Sequence, residues 1–171
     1  MALSLRELFL NEYKARLLRF YYHTTFFPGL IGLFVNPFYF ARKGLAKHIG
    51  DLAPHIQGRT LDVGCGSKPY VHLYHSKEYV GLEIDTPQNR ENKSADYFYD
   101  GTQFPFPDQS FDSVVANEVF EHVFNPDQFL FEVRRVLKPN GTLLMTMPFV
   151  WDEHEQPYDF ARYSSSVSYT H

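Results

Sequence analysis

The chain has 171 residues, of which 44% are hydrophobic and 18% aromatic, which is enough for one domain with a sizeable core and too little for two. Its formal net charge of -4 at pH 7 argues against nucleic acid as a partner, because binding to phosphates needs a basic face. Cys65 is the single cysteine and cannot form an internal disulfide, which predicts a reducing, cytoplasmic setting.

Residues 1–57 are predicted to form an N-terminal helical cap. Ser4 and Glu7 have the spacing of a capping box, and apolar residues recur at helical spacing after them. Glycines and prolines then interrupt the pattern, and a second helix is predicted from Tyr39 to Leu52. The cap ends in a proline and a glycine that lead into the first strand.

The most apolar window, FFPGLIGLFVNPFYFA, covers residues 26–41. It is shorter than the roughly 20 residues that a membrane-spanning helix needs, and two prolines and an asparagine interrupt it. Arg42 and Lys43 follow it directly, and apolar segments followed by basic residues can lie at a membrane interface. Two interpretations stay open: peripheral membrane contact through residues 20–43, or a flap packed on the domain.

Beyond residue 58, short apolar runs alternate with helical patterns. This alternation predicts right-handed crossovers and a Rossmann-like, doubly wound, mostly parallel α/β sheet of about five strands within residues 58–150. The first strand is predicted to begin at Thr60, and the others are predicted at Tyr79–Ile84, Ala95–Tyr99, Phe111–Ala116 and Thr142–Met147.

Two helix starts are predicted between these strands. Ser67 is expected to cap a short helix with Pro69 in its first turn, where a missing N–H is harmless. Asn125 is expected to cap a longer helix, which the Pro-Asn-Gly sequence at 139–141 would stop.

Chemically distinctive residues fall at the carboxyl ends of the predicted strands, where parallel sheets bind ligands. Gly64 and Gly66 permit a tight turn and a close approach of the backbone to a ligand. Glu83 follows Gly64 by about twenty residues, the spacing at which nucleotide-binding α/β units place a ribose-binding carboxylate. Asp100 and Asn117 end two further strands. We therefore expect a nucleoside-containing cofactor at this edge.

The residues from about 58 to 163 resemble the class I S-adenosylmethionine-dependent methyltransferases, and more narrowly methyltransferase type 11-like proteins. The resemblance rests on four blocks in order: LDVGCG, YVGLEID, DGTQFPFPDQSFDSVVANEVFEHV and EVRRVLKPNGTLLMTMP. The segment GCGSKPY, with Lys68-Pro69 in place of a further glycine, is similar to a bacterial subgroup whose methyl acceptors vary widely.

The resemblance implies S-adenosyl-L-methionine as cofactor and S-adenosyl-L-homocysteine as product. It implies cofactor contacts at Asp62, Gly64, Cys65, Gly66, Glu83, Ile84, Asp100, Gly101, Asn117 and Glu118. Glu83 would accept hydrogen bonds from both ribose hydroxyls, with Asp85 as the alternative acid, because an ionised carboxylate has two accepting oxygens. Asp100 would accept from the adenine amino group.

Several of these residues have a purely structural interpretation as well. Asp62 either caps the turn or contacts the ammonium of the cofactor, and Asp100 can simply begin a turn. Cys65 is expected to be a small packed residue, since nothing beside it would lower its pKa. No metal site is expected, because adjacent side chains such as Glu121 and His122 do not share a helix face.

The resemblance implies methyl transfer to a small-molecule acceptor by in-line displacement; the aromatic segment near residues 20–40 suggests an apolar, lipid-like acceptor, and a sugar is equally compatible. A base is needed only for an acceptor with a high pKa, and the candidates are His122 and His154. Tyr158, Asp159 and Arg162 are expected to line the acceptor pocket, although an Asp159–Arg162 ion pair in a polar loop explains them as well.

The segment 151–171 is predicted to be a loop and polar tail. Class I methyltransferases usually continue with another helix and an antiparallel strand pair, so this chain is expected to lack the last strands and to expose the edge of its fifth strand. An exposed edge favours a homodimer. The same feature motivates an alternative function, a cofactor-binding but catalytically incomplete scaffold. A nicotinamide dehydrogenase is disfavoured, because Pro69 stands near the expected third glycine.

Overall fold

The structure is a computed structural model that describes residues 5–91, 94–148 and 159–162, with the backbone alone at 5–12, 15 and 19. The helices are α1 Leu5–Phe26, α2 Gly32–Val35, α3 Tyr39–Leu52, α4 Pro87–Glu91 and α5 Pro126–Val136. The strands are β1 Gln57–Val63, β2 His75–Ile84, β3 Tyr97–Tyr99, β4 Phe111–Asn117 and β5 Leu137–Thr146. Short 3₁₀ helices lie at Ala53–His55, Val71–Leu73 and Phe120–His122.

The chain divides into two compact units, Met1–Asp51 and Leu52–His171. The first unit is helical, as predicted for the cap, and α3 has the predicted bounds. Among the described residues, no helix combines the length and the apolar character needed to cross a membrane. The division into 1–57, 58–150 and 151–171 stays a prediction.

The second unit is built on one five-stranded sheet in the order β3-β2-β1-β4-β5, with every pair parallel. The chain winds outward from β1 through β2 to β3, then returns to place β4 on the other side of β1. The strand order therefore reverses between β1 and β4, and the crevice at their carboxyl ends is where such sheets bind ligands. The predicted doubly wound parallel sheet of about five strands is confirmed.

The two faces of the sheet differ in character. Parallel register places Leu61 of β1 beside Val80 of β2 and Val114 of β4, and these buried side chains belong to the main core with Phe129 and other residues of α5. The alternate positions point to the opposite face, since side chains alternate along a strand. That second face carries polar residues of β1, β2 and β4, namely Thr60, Asp62, Tyr79 and Ser113.

Helix α5 closes the core face, and its start follows the sequence signals. The side chain of Asn125 accepts the backbone N–H of Gln128 at 3.2 Å, and Pro126 occupies the first turn. Glu132 of α5 is buried and accepts the backbone N–H of Phe104 at 2.8 Å. The guanidinium of Arg135 binds Glu132 and donates to the carbonyl of Phe104 at 3.0 Å, which fixes the Phe-Pro-Phe-Pro segment that follows β3.

Two predicted elements differ from the structure. The helix predicted after Ser67 is wrong: the chain makes a turn there, with Lys68 at a φ of 54°, and only the 3₁₀ helix Val71–Leu73 follows. Strand β5 begins at Leu137 directly after α5, so the helix stops before the Pro-Asn-Gly sequence predicted to stop it. Strand β5 lies at one edge of the sheet that the described residues form, and the homodimer through this edge stays a prediction.

Candidate functional site

The glycine turn after β1 forms the centre of the candidate site. Gly64 has a φ of 67°, and a Cβ placed there would lie 2.4 Å from Cγ2 of Val119, so a larger residue would have to displace that side chain. The backbone N–H groups of Gly64 and Cys65 both donate to the carbonyl of Leu82, at 2.8 and 3.3 Å, which ties the turn to β2. Gly66 has a φ of 49°, and a Cβ there would meet nothing within 4 Å. The turn is therefore closed at Gly64 and open at Gly66.

Glu83, near the end of β2, faces this turn. Its Oε1 accepts the backbone N–H of Gly66 at 2.6 Å, and its Oε2 lies 3.3 Å from the side-chain amide of Asn89. Asp85, two residues on, instead forms a two-pronged ion pair with Arg90 at the surface, and this pair holds the pKa of Asp85 below its ordinary value. Of the two acids considered for the ribose, the structure brings only Glu83 to the glycine turn.

A lysine braces the outer side of the turn. Lys68 lies across Gly81 of β2, where a Cβ would come within 2.5 Å of its Cε, and its Nζ reaches Oδ2 of Asp96 at 2.5 Å. Burial opposes ionisation of Asp96, but Lys68 and the backbone N–H of Gly81 together hold its pKa below the ordinary value. Sequence reasoning missed this brace, whose only signal is the lysine that stands where the family has a further glycine.

Asp62 lies on β1, two residues before the turn, and is buried. Burial raises its pKa to about 7; the hydroxyl of Tyr79, which donates to Oδ2 at 2.7 Å, opposes the rise, and the nearby charge of Glu83 adds to it. Tyr74 stacks on Tyr79 with ring centroids 5.9 Å apart. The side chain of Asp62 is therefore bonded to the neighbouring strand β2.

Cys65 is packed, as expected. Its side chain is buried, and burial, together with the charges of Asp62 and Glu83, raises the pKa of the thiol to about 12. A thiol in this setting stays protonated and unreactive at neutral pH. Any contact of Cys65 with a ligand would thus use its backbone.

The end of β4 reaches the same crevice. Asn117 donates its side-chain amide to the hydroxyl of Tyr74 at 3.1 Å, while its Oδ1 is buried without a hydrogen-bond partner among the described residues. Glu118 has a φ of 56° and donates its backbone N–H to the carbonyl of Thr146 on β5 at 3.0 Å. Left-handed backbone in a residue other than glycine is uncommon and gathers at ligand sites. The strand end is thus strained and carries one unsatisfied acceptor.

Asp100 and Gly101 follow β3. The Oδ1 of Asp100 accepts hydrogen bonds from the backbone and hydroxyl of Thr102, at 2.9 and 2.6 Å, and from the backbone of Gln103 at 3.2 Å. These bonds hold the pKa of Asp100 below its ordinary value. Gly101 has a φ of 85° with open space where a Cβ would stand. Asp100 therefore does begin a turn. The backbone of that turn is accessible at Gly101.

The residues predicted to act on the acceptor form a separate group after β4. Phe160 donates its backbone N–H to the carbonyl of Glu121 at 2.9 Å, which places the segment 159–162 beside His122. Arg162 donates to Oδ2 of Asp159, whose side chain is buried, at 2.6 Å, so the ion pair expected between them is present. His154 and Tyr158 lie outside the described residues.

The structure thus gathers the predicted residues into two clusters. The first cluster lies at the carboxyl ends of β1, β2 and β4 and contains the turn at 64–66, Asp62, Glu83 and Asn117. Ile84 lies beside it at the end of β2, where its carbonyl accepts a hydrogen bond from Asn89 at 2.9 Å. His122, Asp159 and Arg162 form the second cluster. Among the described residues, no group of three or more His, Cys, Asp or Glu side chains is arranged to hold a metal ion.

Comparison with known proteins identifies the family. A family model described as a methyltransferase domain matches residues 61–145, which include both clusters except 159–162. A probable S-adenosylmethionine-dependent methyltransferase of Mycolicibacterium smegmatis is 44% identical over 105 residues, 57% of this chain and 41% of that protein. A fatty-acid O-methyltransferase of the same organism is 34% identical over 99 residues, 52% of this chain and 36% of that protein.

A solved structure agrees with this family. A chain of the complex between the Haloferax volcanii Trm112 methyltransferase activator and a methyltransferase matches with a TM-score of 0.59 and 25% identity, over 77% of this chain and 66% of that chain. The chain spans less than half the length of the two Mycolicibacterium relatives. The comparisons confirm the predicted methyltransferase class and its cofactor, S-adenosylmethionine: the chain belongs to the class I S-adenosylmethionine-dependent methyltransferases.

Proposed function

We propose that this chain transfers a methyl group from S-adenosylmethionine to a small-molecule acceptor. The observation that carries the proposal is the pairing of an open glycine turn with an ionisable carboxylate: Gly66 presents open space on its Cβ side, and Glu83 is bonded to its backbone at 2.6 Å. Both lie at the carboxyl edge of adjacent parallel strands, where ligands of such sheets bind.

The residues present fit this cofactor. The open space at Gly66 is a cradle that a Cβ would enter, and it suits the close approach of a ligand to the backbone. The Oε2 of Glu83, which the side-chain amide of Asn89 approaches at 3.3 Å, is the oxygen that we propose as acceptor for a ribose hydroxyl. The buried Oδ1 of Asn117 needs a donor, and an ammonium at the amino-acid end of the cofactor would supply one. Gly101 leaves room for a ring beside its backbone.

When bound, the cofactor would supply a methyl group on a positively charged sulfur: a lone pair of the acceptor would bond to the methyl carbon in line, and the electrons of the broken C–S bond would leave with sulfur as a neutral thioether. The work of the protein is then to hold and orient, and orientation lowers such barriers by about 7–11 kcal/mol in favourable cases. The hydrogen bonds that tie Gly64 and Cys65 to β2, and the brace from Lys68 to Asp96, keep the turn rigid for that purpose.

We propose that the second cluster binds the methyl acceptor. His122 lies one turn beyond β4, and its imidazole is mostly shielded from solvent beside the buried carboxylate of Glu121, with Nε2 3.9 Å from Oε1. A histidine can take the proton of a hydroxyl acceptor near neutral pH. Asp159 and Arg162, fixed to each other, would line the acceptor pocket. His154 and Tyr158 remain candidates from the sequence alone.

An apolar, lipid-like acceptor is the class that we favour. One relative is described as a fatty-acid O-methyltransferase, and a fatty acid is an acceptor of this class. Phe124 and Phe160 meet edge to face beside the second cluster, with ring centroids 5.4 Å apart, and offer apolar contact near His122.

The test is a methyl-transfer assay with isotopically labelled S-adenosylmethionine across a panel of fatty acids, quinones and sugars. We expect label in an apolar acceptor, and much less label with the Glu83→Ala variant when the cofactor is below saturation. Label in the sugars alone would contradict the acceptor class. Cofactor binding without label in any acceptor would favour the scaffold function instead.

A further inference from the structure

The charge of the first unit runs against that of the whole protein. Residues 13–50 contain six Lys or Arg and not one Asp or Glu, although the complete chain has a net charge of -4. A positive segment in an acidic protein is a feature that points to a negatively charged partner. The cations stand at both ends of the segment, at Lys14, Arg16, Arg19, Arg42, Lys43 and Lys47.

Between these basic ends, residues 30–40 present large apolar side chains to solvent. Leu30 is 81% exposed, Phe34 is 87% exposed and Phe40 is 78% exposed. Their neighbours Ile31, Leu33, Val35 and Phe38 are all at least 45% exposed. We call residues 30–40 the apolar turn. Single exposed apolar residues are ordinary, but seven within eleven positions form a patch of the kind that marks an interaction surface.

The fold of the apolar turn holds these side chains outward. Gly32 packs so closely on Pro28 and Tyr39 that a Cβ would lie 2.8 Å from the first and 3.3 Å from the second. The side-chain amide of Asn36 donates to the carbonyl of Thr24 at 2.9 Å, and its Oδ1 accepts the backbone N–H of Phe38 at 2.8 Å. The small and polar residues therefore make the internal contacts, and the large apolar residues are left at the surface.

Cations border the apolar turn on its C-terminal side. Lys43 donates to the hydroxyl of Tyr39 at 2.9 Å, and the guanidinium of Arg42 lies 5.8 Å from the ring centre of Phe26. Both cations are thus held beside aromatic rings. An apolar surface next to basic heads, with aromatic side chains between them, is the arrangement by which proteins rest on a bilayer of anionic lipids.

We propose that the apolar turn docks the protein on the surface of an anionic phospholipid membrane, with Phe34 and its neighbours in the interfacial layer and Arg42 and Lys43 against the headgroups. A second copy of this chain fits the same surface poorly. A symmetric pair would bring two acid-free, basic surfaces together, and like charges repel. The proposal concerns the first unit alone and does not depend on cofactor binding or methyl transfer.

The test is flotation of the full chain with vesicles of pure phosphatidylcholine and with vesicles that also contain about 30% phosphatidylglycerol. We expect binding to the anionic vesicles, weaker binding at about 0.5 M salt, and little binding to the neutral ones. Phe34→Ser should weaken binding about tenfold or more, because it removes one large side chain from the interface. Phe131→Ser is the matched control, since Phe131 is 61% exposed on α5 of the second unit, and it should leave binding unchanged.

Thermal unfolding of both variants checks that the fold is kept, and Leu30→Ser serves as a second, equally exposed test position. No binding to anionic vesicles would overturn the proposal. Equal loss in Phe34→Ser and Phe131→Ser would overturn the assignment to the apolar turn. A change of oligomeric state in Phe34→Ser, without a change in vesicle binding, would show that the surface meets protein instead of lipid.

Discussion

The backbone N–H of Gly66 donates a hydrogen bond to Oε1 of Glu83 across 2.6 Å, and this bond joins the glycine turn to the end of the second strand. We expect Glu83→Ala to weaken binding of S-adenosylhomocysteine about 10- to 100-fold, because charged hydrogen bonds contribute roughly 1.5–3 kcal/mol each. Asp85→Ala should have little effect, since Asp85 pairs with Arg90 at the surface. Isothermal titration calorimetry of the two variants measures the difference.

Glu83→Gln separates the ligand contact from the support of the turn. Its side-chain oxygen can still accept the N–H of Gly66, but its charge is gone. We therefore expect Glu83→Gln to keep the thermal stability of the parent protein and still bind more weakly. Stronger loss of binding in Asp85→Ala than in Glu83→Ala would move the ribose contact to Asp85.

The two glycines of the turn should respond differently to the same substitution. Gly64→Ala places a Cβ 2.4 Å from Val119 at a φ of 67°, so we expect a loss of several kcal/mol of unfolding free energy, on the order of 3 kcal/mol. Gly66→Ala meets no atom within 4 Å and should cost only the strain of left-handed backbone, about 1–2 kcal/mol. Urea unfolding measures both losses.

Affinity for S-adenosylhomocysteine should rank the two glycine variants in the opposite order from stability. Gly66→Ala should fold and yet lose affinity for S-adenosylhomocysteine, because its methyl group enters the proposed cradle. Combining Gly64→Ala with Val119→Ala should restore part of the lost stability, since it removes the clashing atom. If Gly66→Ala binds as well as the parent protein, the open side of the turn is not the cofactor cradle.

The buried Asp62 predicts a specific dependence of stability on pH. Its pKa is about 7 in the folded protein and about 3.9 in an unfolded chain, so between these values the folded state holds the extra proton. Stability should therefore fall as pH rises from about 4 to about 7 and change no further from this group above that. Each unit of the difference corresponds to about 1.4 kcal/mol.

Asp62→Asn cannot ionise and provides the reference for that dependence. Urea unfolding at pH 5 and pH 8 should show a larger loss between the two pH values in the parent protein than in Asp62→Asn. Tyr79→Phe removes the hydroxyl that bonds the ionised form, so the loss should extend to higher pH. Parallel pH profiles in the parent and Asp62→Asn would mean that Asp62 has an ordinary pKa.

The ion pair between Glu132 and Arg135 should stabilise the segment that follows β3. Glu132→Ala leaves the Phe104 N–H without its acceptor and removes the buried carboxylate that pairs with the Arg135 guanidinium, and we expect a loss of about 2–4 kcal/mol. Asp108→Ala is the matched control, because Asp108 is largely exposed where it pairs with Arg135 and should cost under about 1 kcal/mol. Similar losses in the two variants would show that burial of Glu132 adds nothing.

Local signals carried much of the fold prediction. The bounds of α3 and the Asn125–Pro126 start of α5 followed from helix patterns and capping residues that act within a few positions. The sheet followed from apolar runs and short connections. The helix predicted after Ser67 failed because Lys68 takes left-handed backbone to lie across Gly81, and that contact depends on a strand thirteen residues later in the chain.

In the candidate site, too, local features were predictable and contacts between distant parts of the chain were not. Glu83 and the glycine turn were predictable because their spacing is fixed by one strand–turn–strand unit. The bond of Asp62 to Tyr79 and the brace between Lys68 and Asp96 were not, since both depend on the register of neighbouring strands. Composition alone therefore could not assign the buried Asp62 its raised pKa.

The central claim is that S-adenosylmethionine binds at the turn of Gly66 and the carboxylate of Glu83. Thermal unfolding with saturating S-adenosylhomocysteine or NAD tests it most directly, because a ligand at a hundred times its dissociation constant stabilises the fold by about 2.7 kcal/mol. We predict a rise in the melting temperature with S-adenosylhomocysteine, none with NAD, and a smaller rise in Glu83→Gln at the same ligand concentration. A rise with NAD alone, or one with S-adenosylhomocysteine that Glu83→Gln retains in full, would contradict the account.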